Sequence, residues 1–236
     1  MVQLQTINPT WTCPVVVAAT GPSLTAEVAA RVRRARWPAE KCRVIAVNDA
    51  YRLLPYADIL YACDEKWWRV HIDEVKRTFH GERWTTHEGR KGDTNWKGDC
   101  PEDWQLNLVA GGHADEFSTD PKRIHYGSNS GFQAVNLALL RGATKVILVG
   151  FDLRIVAGKR HFFGDHPAPL HNRDEFGCFI RPFEIASRKC TVPVVNATPG
   201  SALKCWPRVD LEDALADDSL CRDRPVDHPA ASASCA

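Results

Sequence analysis

The chain lacks any strong excess of charge: 30 Lys and Arg stand against 29 Asp and Glu, a formal +1 over 236 residues. That balance argues against a general nucleic-acid coat or a binder of anionic membranes, while leaving room for a local basic patch. No apolar run approaches the ~20 residues a membrane helix needs. The opening MVQLQTINPTW has no basic stretch followed by an apolar one, so it does not read as a secretion signal. Nine cysteines are present but no CxxC pair, which leaves a zinc ribbon or a redox motif unsupported. Cys13, Cys42, Cys63 and Cys190 sit beside apolar strand-like runs, where a reduced cysteine acts as a small hydrophobe. A reducing cytoplasm is the simplest expectation from that usage. No internal repeat is visible.

What the chain has is a repeated strand, turn and helix. Pro14 to Ala19 is a short continuous apolar run, as in a strand buried on both faces. Gly21-Pro22-Ser23 breaks it, and residues 25–36 read as a helix with Val28, Ala29, Val32 and Ala35 on one face and Ser23 or Thr25 as cap. Strands are expected at 43–47, ending in Asn48-Asp49, and at 58–62, ending at Asp64. Short apolar strands that each end in a small or acidic polar residue predict a parallel sheet with ligand groups along its carboxyl edge. Residues 81–104 read as an irregular lid or insertion, with a strand at 105–109 beyond it. A helix opening at Ser128-Asn129-Ser130-Gly131 is followed by a strand at 145–150 ending in Phe151-Asp152. A His-, Arg- and Gly-rich loop covers 154–178, then come a helix at about 181–190, a strand at 192–195 and a short helix from Asp210. Residues 1–12 form an N-terminal arm, 13–216 a single domain, and 217–236 a tail with a disordered composition.

Chemistry has four places to sit. At Gly21-Pro22-Ser23 a tight turn opens a helix, where unpaired amides and the helix dipole favour a phosphate; plain turn chemistry explains the same residues. Asn48, Asp49 and Asp64 at strand ends can meet a base or ribose hydroxyls, or simply cap helices. Ser130 and Gly131 open a second helix that can face the same crevice. Asp152 and the loop after it carry Lys159, Arg160, His161, Asp165, His166 and His171. Histidine titrates near neutrality and a neighbouring carboxylate can orient it, so His166, Asp165 and His161 are candidates for general base. Lys159 and Arg160 would neutralise a departing phosphate. The spacing His161-x-x-x-Asp165-His166 matches no established metal-ligand pattern, and no metal ligands are assigned. Trp67-Trp68 read as packing a helix onto the sheet.

Taken in order, Gly21-Pro22-Ser23-Leu24, Val47-Asn48-Asp49-Ala50-Tyr51, Asp58…Asp64 and Ser130-Gly131…Leu140-x-Gly142-Ala143-x-Lys145 to Asp152 resemble one superfamily. It holds the sialyltransferases of glycosyltransferase family 42, the motility-accessory glycosyltransferases of flagellins and the 6-hydroxymethylpterin diphosphokinase-like (MptE-like) domains. The likeness runs over about residues 13–215, and Asn196 to Leu203 resembles the family's final strand and turn. It implies an α/β fold with a Rossmann-like, mostly parallel sheet flanked by helices, the nucleotide donor lying across its carboxyl edge. Gly21, Pro22 and Ser23 match the family's donor turn, Asn48 its nucleotide-contacting Asn, and Ser130 and Gly131 its Ser-Gly helix start. Asp64 stands where the sialyltransferases carry another Asn. His161-Phe162-Phe163-Gly164 matches the segment ahead of their catalytic His, but the next histidine comes one residue later, at His166. Residues 153–164 contain none of the tyrosines with which that family contacts the leaving phosphate.

The expectation is a cytoplasmic glycosyltransferase that moves a sugar from a nucleotide-sugar donor to an acceptor hydroxyl, with His166, helped by Asp165, as base. The alternatives are an MptE-like diphosphotransferase using ATP and Mg²⁺, with Asp64 and Asp152 as metal carboxylates, and a nucleotide-binding protein without turnover. The acceptor could be a glycan, a protein or a modified base in DNA, as would suit a phage or mobile-element enzyme. Arg83, Arg90, Lys91 and Lys97 would then lie near a phosphate backbone. No membrane partner is expected, and self-association stays open.

Overall fold

The computed structural model describes residues 3–87, 100–170 and 175–216. Eight strands form one all-parallel sheet: β1 (Pro14–Ala18), β2 (Arg43–Val47), β3 (Ile59–Tyr61), β4 (Glu82–His87), β5 (Leu106–Gly112), β6 (Arg123–His125), β7 (Lys145–Val149) and β8 (Val194–Asn196). Their order across the sheet is β6-β5-β4-β3-β2-β1-β7-β8. Five helices flank it: α1 (Ala26–Arg36), α2 (Glu65–Thr78), α3 (Ser130–Leu140), α4 (Phe176–Ser187) and α5 (Leu211–Leu215). The fold is Rossmann-like, and the expected α/β class is what the chain adopts.

Alternation along the strands sorts the core into two layers. Val15, Val17, Ile45, Val47, Val146 and Leu148 face one side, where they meet Phe132, Val135 and Phe183 of α3 and α4. Val16, Ala18, Val44, Ala46, Ile147 and Val149 face the other, against α1, α2 and α5. Because both faces are covered, these strands read as continuous apolar runs. The N-terminal arm belongs to the body: Ile7 and Trp11 are buried, and the Gln5 amide donates to the Leu108 carbonyl at 2.7 Å.

Three expectations need correction. The segment read as an irregular lid contributes strand β4 at its start and a short 3₁₀ turn at Glu102–Trp104; residues 88–99 lie outside the described part. In the sequence the charged Glu82 and Arg83 mask the buried Trp84-Thr85-Thr86-His87 run of that strand. β6, three residues long, is hidden as well. Finally, α4 starts five residues earlier than expected, because Phe176, Phe179, Ile180 and Phe183 supply helical spacing inside what looked like loop. The suggested tail, 217–236, lies outside the described residues.

Among the described residues, Cys42, Cys63, Cys100, Cys178, Cys190 and Cys205 are free thiols. Among the described residues no helix is long and apolar enough to cross a membrane.

Candidate functional site

Strand order reverses between β1 and β7: from β1 the chain builds outward to β2 and β3 on one side, while β7 and β8 extend the other. At such a switch point the carboxyl ends of adjacent strands diverge and leave a crevice. A cavity of about 290 Å³ lies there. Its floor comes from the ends of four strands: Thr20 and Gly21 after β1, Asn48 after β2, Asp64 after β3, and Gly150 and Phe151 after β7. The start of α3 forms one wall, and the loop bearing Arg160, His161 and His166 closes over another. The sequence-predicted Gly21, Asn48, Asp64, Ser130, Gly131, Arg160, His161 and His166 thus share one cavity.

The donors of the first turn have acceptors within the chain. The Ser23 hydroxyl donates to Asp152 Oδ2 at 2.6 Å and the Ser23 amide to the same oxygen at 3.3 Å. The Gly21 amide donates to the Gly150 carbonyl and that of Leu24 to the Gly21 carbonyl. Thr25, not Ser23, caps α1 by accepting from the Val28 amide. A buried carboxylate therefore already occupies the donors of this turn, and Pro22, Ser23 and Asp152 do not line the cavity. Gly21 is needed because its strand end abuts β7: a Cβ there would stand 2.0 Å from Asp152 Oδ2 and 2.5 Å from the Gly150 carbonyl oxygen.

Burial, partly offset by the Ser23 hydrogen bonds, raises the Asp152 pKa above the ordinary 3.8. The folded state then retains a proton that the unfolded chain has released. Stability from this group is present at acid pH and is lost as pH climbs from the ordinary value through the raised one. Asp152→Asn keeps an acceptor for Ser23 and removes the charge. Its melting temperature at pH 7 is expected to exceed the wild type's, with the two converging in acid; thermal denaturation against pH checks this, and a lower melting temperature at pH 7 would mean that the charge itself holds the turn.

The helix start with open amides belongs to α3. Its cap, Asn129, accepts from the Phe132 amide at 2.8 Å, whereas the amides of Ser130 and Gly131 have no acceptor among the described residues. Both residues line the cavity, so the two orphan donors and the positive end of the dipole meet it together. The Ser130 hydroxyl is tied to Cys63, at 3.0 Å from its sulfur, and that holds the helix start against the end of β3. Gly131 lets the helix approach β7: a Cβ there would lie 2.9 Å from the Phe151 ring.

The histidine loop is pinned to the end of β1. The Phe162 amide donates to the Thr20 carbonyl at 2.9 Å, and the Thr20 hydroxyl lies 2.9 Å from His161 Nδ1. His161 and His166 face each other with ring centroids 4.5 Å apart. Asp165 is not the carboxylate beside His166: it points outward and pairs with Arg160 at 2.9 Å. The carboxylate there is Asp49, 1% exposed, whose Oδ2 lies 3.8 Å from His166 Nδ1. Trp67 Nε1 donates to that same oxygen at 2.8 Å, and Arg52 lies 3.2 Å from Oδ1. Local placement decides which acid meets the histidine: Asp49 lies in the 3₁₀ turn Asn48–Arg52 that follows β2. Asp49 follows a buried strand end and turns inward, whereas Asp165 sits in an exposed turn.

Burial pushes the His161 pKa down to about 4, with neighbouring His166 adding to the effect. Burial also lowers the His166 pKa, against the pull of Asp49 and Asp64. Both imidazoles are therefore neutral at physiological pH and able to accept a proton. No family model matches the chain, and no curated protein is significantly similar to it.

Other expected residues fall elsewhere. Lys159 lies in an exposed tight turn away from the cavity, and Lys66, at the start of α2, lines the cavity in its stead. Arg83 donates to the carbonyls of Trp104 and Phe79, which leaves it poorly placed for DNA; Arg90, Lys91, Lys97 and His171 lie outside the described residues. The metal carboxylates do not converge either. Asp64 lines the cavity while Asp152 is turned to Ser23, and among the described residues no three His, Cys, Asp or Glu side chains group to hold a metal ion.

Proposed function

We propose that the chain transfers a sugar from a nucleotide-sugar donor to an acceptor hydroxyl, with His166 as general base and Asp49 as the group that orients it. The observation that carries this reading is a neutral imidazole on the cavity wall, backed by a buried carboxylate and sharing that cavity with two unsatisfied helix amides. The donor phosphate rests on the amides of Ser130 and Gly131, with the Arg160 and Lys66 side chains adding positive charge at the rim. The acceptor O–H gives its proton to His166 Nε2 as its oxygen attacks the anomeric carbon. The sugar–phosphate bond breaks, and its electron pair leaves with the nucleotide. Asp49 stabilises the imidazolium so formed. The residues that would hold Mg²⁺ for a diphosphotransferase do not come together, so no step is assigned to a metal.

Thermal shift with CMP-, UDP-, GDP- and ADP-linked sugars and with ATP, each with and without Mg²⁺, tests the reading. A ligand bound only by the native state raises stability by about 2.7 kcal/mol at a hundredfold excess over Kd. At least one nucleotide sugar is expected to stabilise the chain without metal and to give product with an acceptor. Stabilisation by ATP and Mg²⁺ alone would favour the diphosphotransferase, and binding without product in any acceptor screen would favour a non-catalytic nucleotide-binding protein.

A further inference from the structure

Asp49 faces a second buried histidine. His71, on α2, is 3% exposed, and its Nε2 lies 3.8 Å from Asp49 Oδ1, on the side of the carboxylate away from His166. Asp64 is the residue just before α2, and Trp67 and His71 stand at i and i+4 within it, so one face of the helix carries the indole that donates to Asp49 and this imidazole. The His71 ring lies against the Trp67 ring with centroids 4.6 Å apart. Its Nδ1 is 3.4 Å from Arg52 Nη2, and Arg52 is paired in turn with Glu74 at 2.8 Å. The Nε2 atom is buried without a hydrogen-bond partner.

We infer that His71 is a positioning residue for the reading above: Asp49 stands between two imidazoles, and the pair His71–His166 takes up its first proton as a unit. A carboxylate with one face to each ring stabilises a single imidazolium well. A second would have to form beside the first with that charge already answered, so protons arrive in two macroscopic steps shared by the pair. The groups facing His71 are Asp49, Arg52, Glu74 and His166, and those facing His166 are Asp49, Asp64, Arg52, Asp165 and His161. Burial lowers both histidines, and Asp49 opposes that on each. A proton on His71 therefore spends Asp49 and makes His166 a weaker base, so acid switches the base off through its neighbour.

NMR titration of the histidine rings in the full chain tests this without any donor or assay, so it stands or falls separately from the transfer reaction. In the wild type His166 is expected to titrate in two steps. In His71→Gln it should titrate in one, with its midpoint raised by about 1 pH unit. In Asp49→Asn both rings should titrate at lower pH than in the wild type, which keeps the test available if the first variant folds poorly. A single His166 step at the same pH in wild type and His71→Gln, or midpoints unmoved by Asp49→Asn, would overturn the inference. Loss of turnover in His166→Ala with uncoupled titrations would uphold the base and remove His71 from it.

Discussion

Replacing His166 with Ala is expected to lower turnover by about 10² to 10⁴-fold, the range for loss of a positioned general base, while donor affinity stays within a few-fold. The separation follows from where the groups sit. In the proposed reaction the donor phosphate sits on backbone amides of α3, which the substitution leaves intact, whereas among the described residues lining the cavity His166 is the neutral imidazole held against a buried carboxylate. Asp49→Asn keeps the hydrogen-bonding shape toward Trp67 but removes the charge that stabilises the imidazolium, so it should reduce turnover with little change in donor binding. Asp165→Asn, which breaks only an exposed pair with Arg160, should leave turnover within a few-fold. Steady-state kinetics on the three variants, with the donor that stabilises the protein, decides the matter. Equal losses at Asp165 and Asp49, or none at His166, would end the assignment.

The second large effect is on stability and lies on the opposite rim of the sheet. Asp58 precedes β3 and is the hub of a buried charge cluster. Its Oδ2 accepts from Arg36 Nε at 3.0 Å and from the Val44 amide at 2.8 Å; its Oδ1 accepts from Arg36 Nη2 at 2.8 Å and from Arg43 Nη1 at 3.1 Å. The side chains of Arg36 and Asp58 are 7% and 14% exposed, so their charges answer each other with little help from water. Asp58→Ala breaks the buried pair with Arg36 and removes the acceptor of the Val44 amide, which costs about 3–5 kcal/mol. In a chain of this length that lowers the melting temperature by about 6–20 °C. A fall of only a degree or two in thermal denaturation would show that water or neighbouring groups replace the carboxylate. Donor binding by the folded fraction should be unchanged, since Asp58 touches nothing in the cavity.

The two aspartates show where sequence reasoning holds and where it stops. Asp58 and Asp64 lie six residues apart on either side of one three-residue strand, and the residues alone do not tell which is functional. Crossing the sheet puts Asp58 among arginines and Asp64 on the cavity. Ser23 and Ser130 pose the same question, each a hydroxyl near a helix start. Ser23 is consumed by Asp152, 129 residues away, while the amides around Ser130 stay open. Asp49 was visible as a strand-end acid, but its pairing with His166 spans 117 positions and leaves no local mark. A sharper reading of α2 was available: Trp67 and His71 recur at helical spacing in a helix whose outer face is charged, and a buried polar residue on an apolar stripe calls for a partner.

By itself the sequence determined the parallel α/β architecture, the boundaries of β1, α1, β2 and β7 to within a residue or two, and the gathering of strand ends and the histidine loop at one edge. These follow from periodicity, capping and turn chemistry, which act over a few residues at a time. Only the tertiary structure decided which helix start keeps free amides, which acid stands behind His166, and that Asp152 spends its carboxylate on Ser23. Those outcomes depend on which side chains meet across the sheet, and a buried polar group takes whatever partner the packing of distant strands brings within reach.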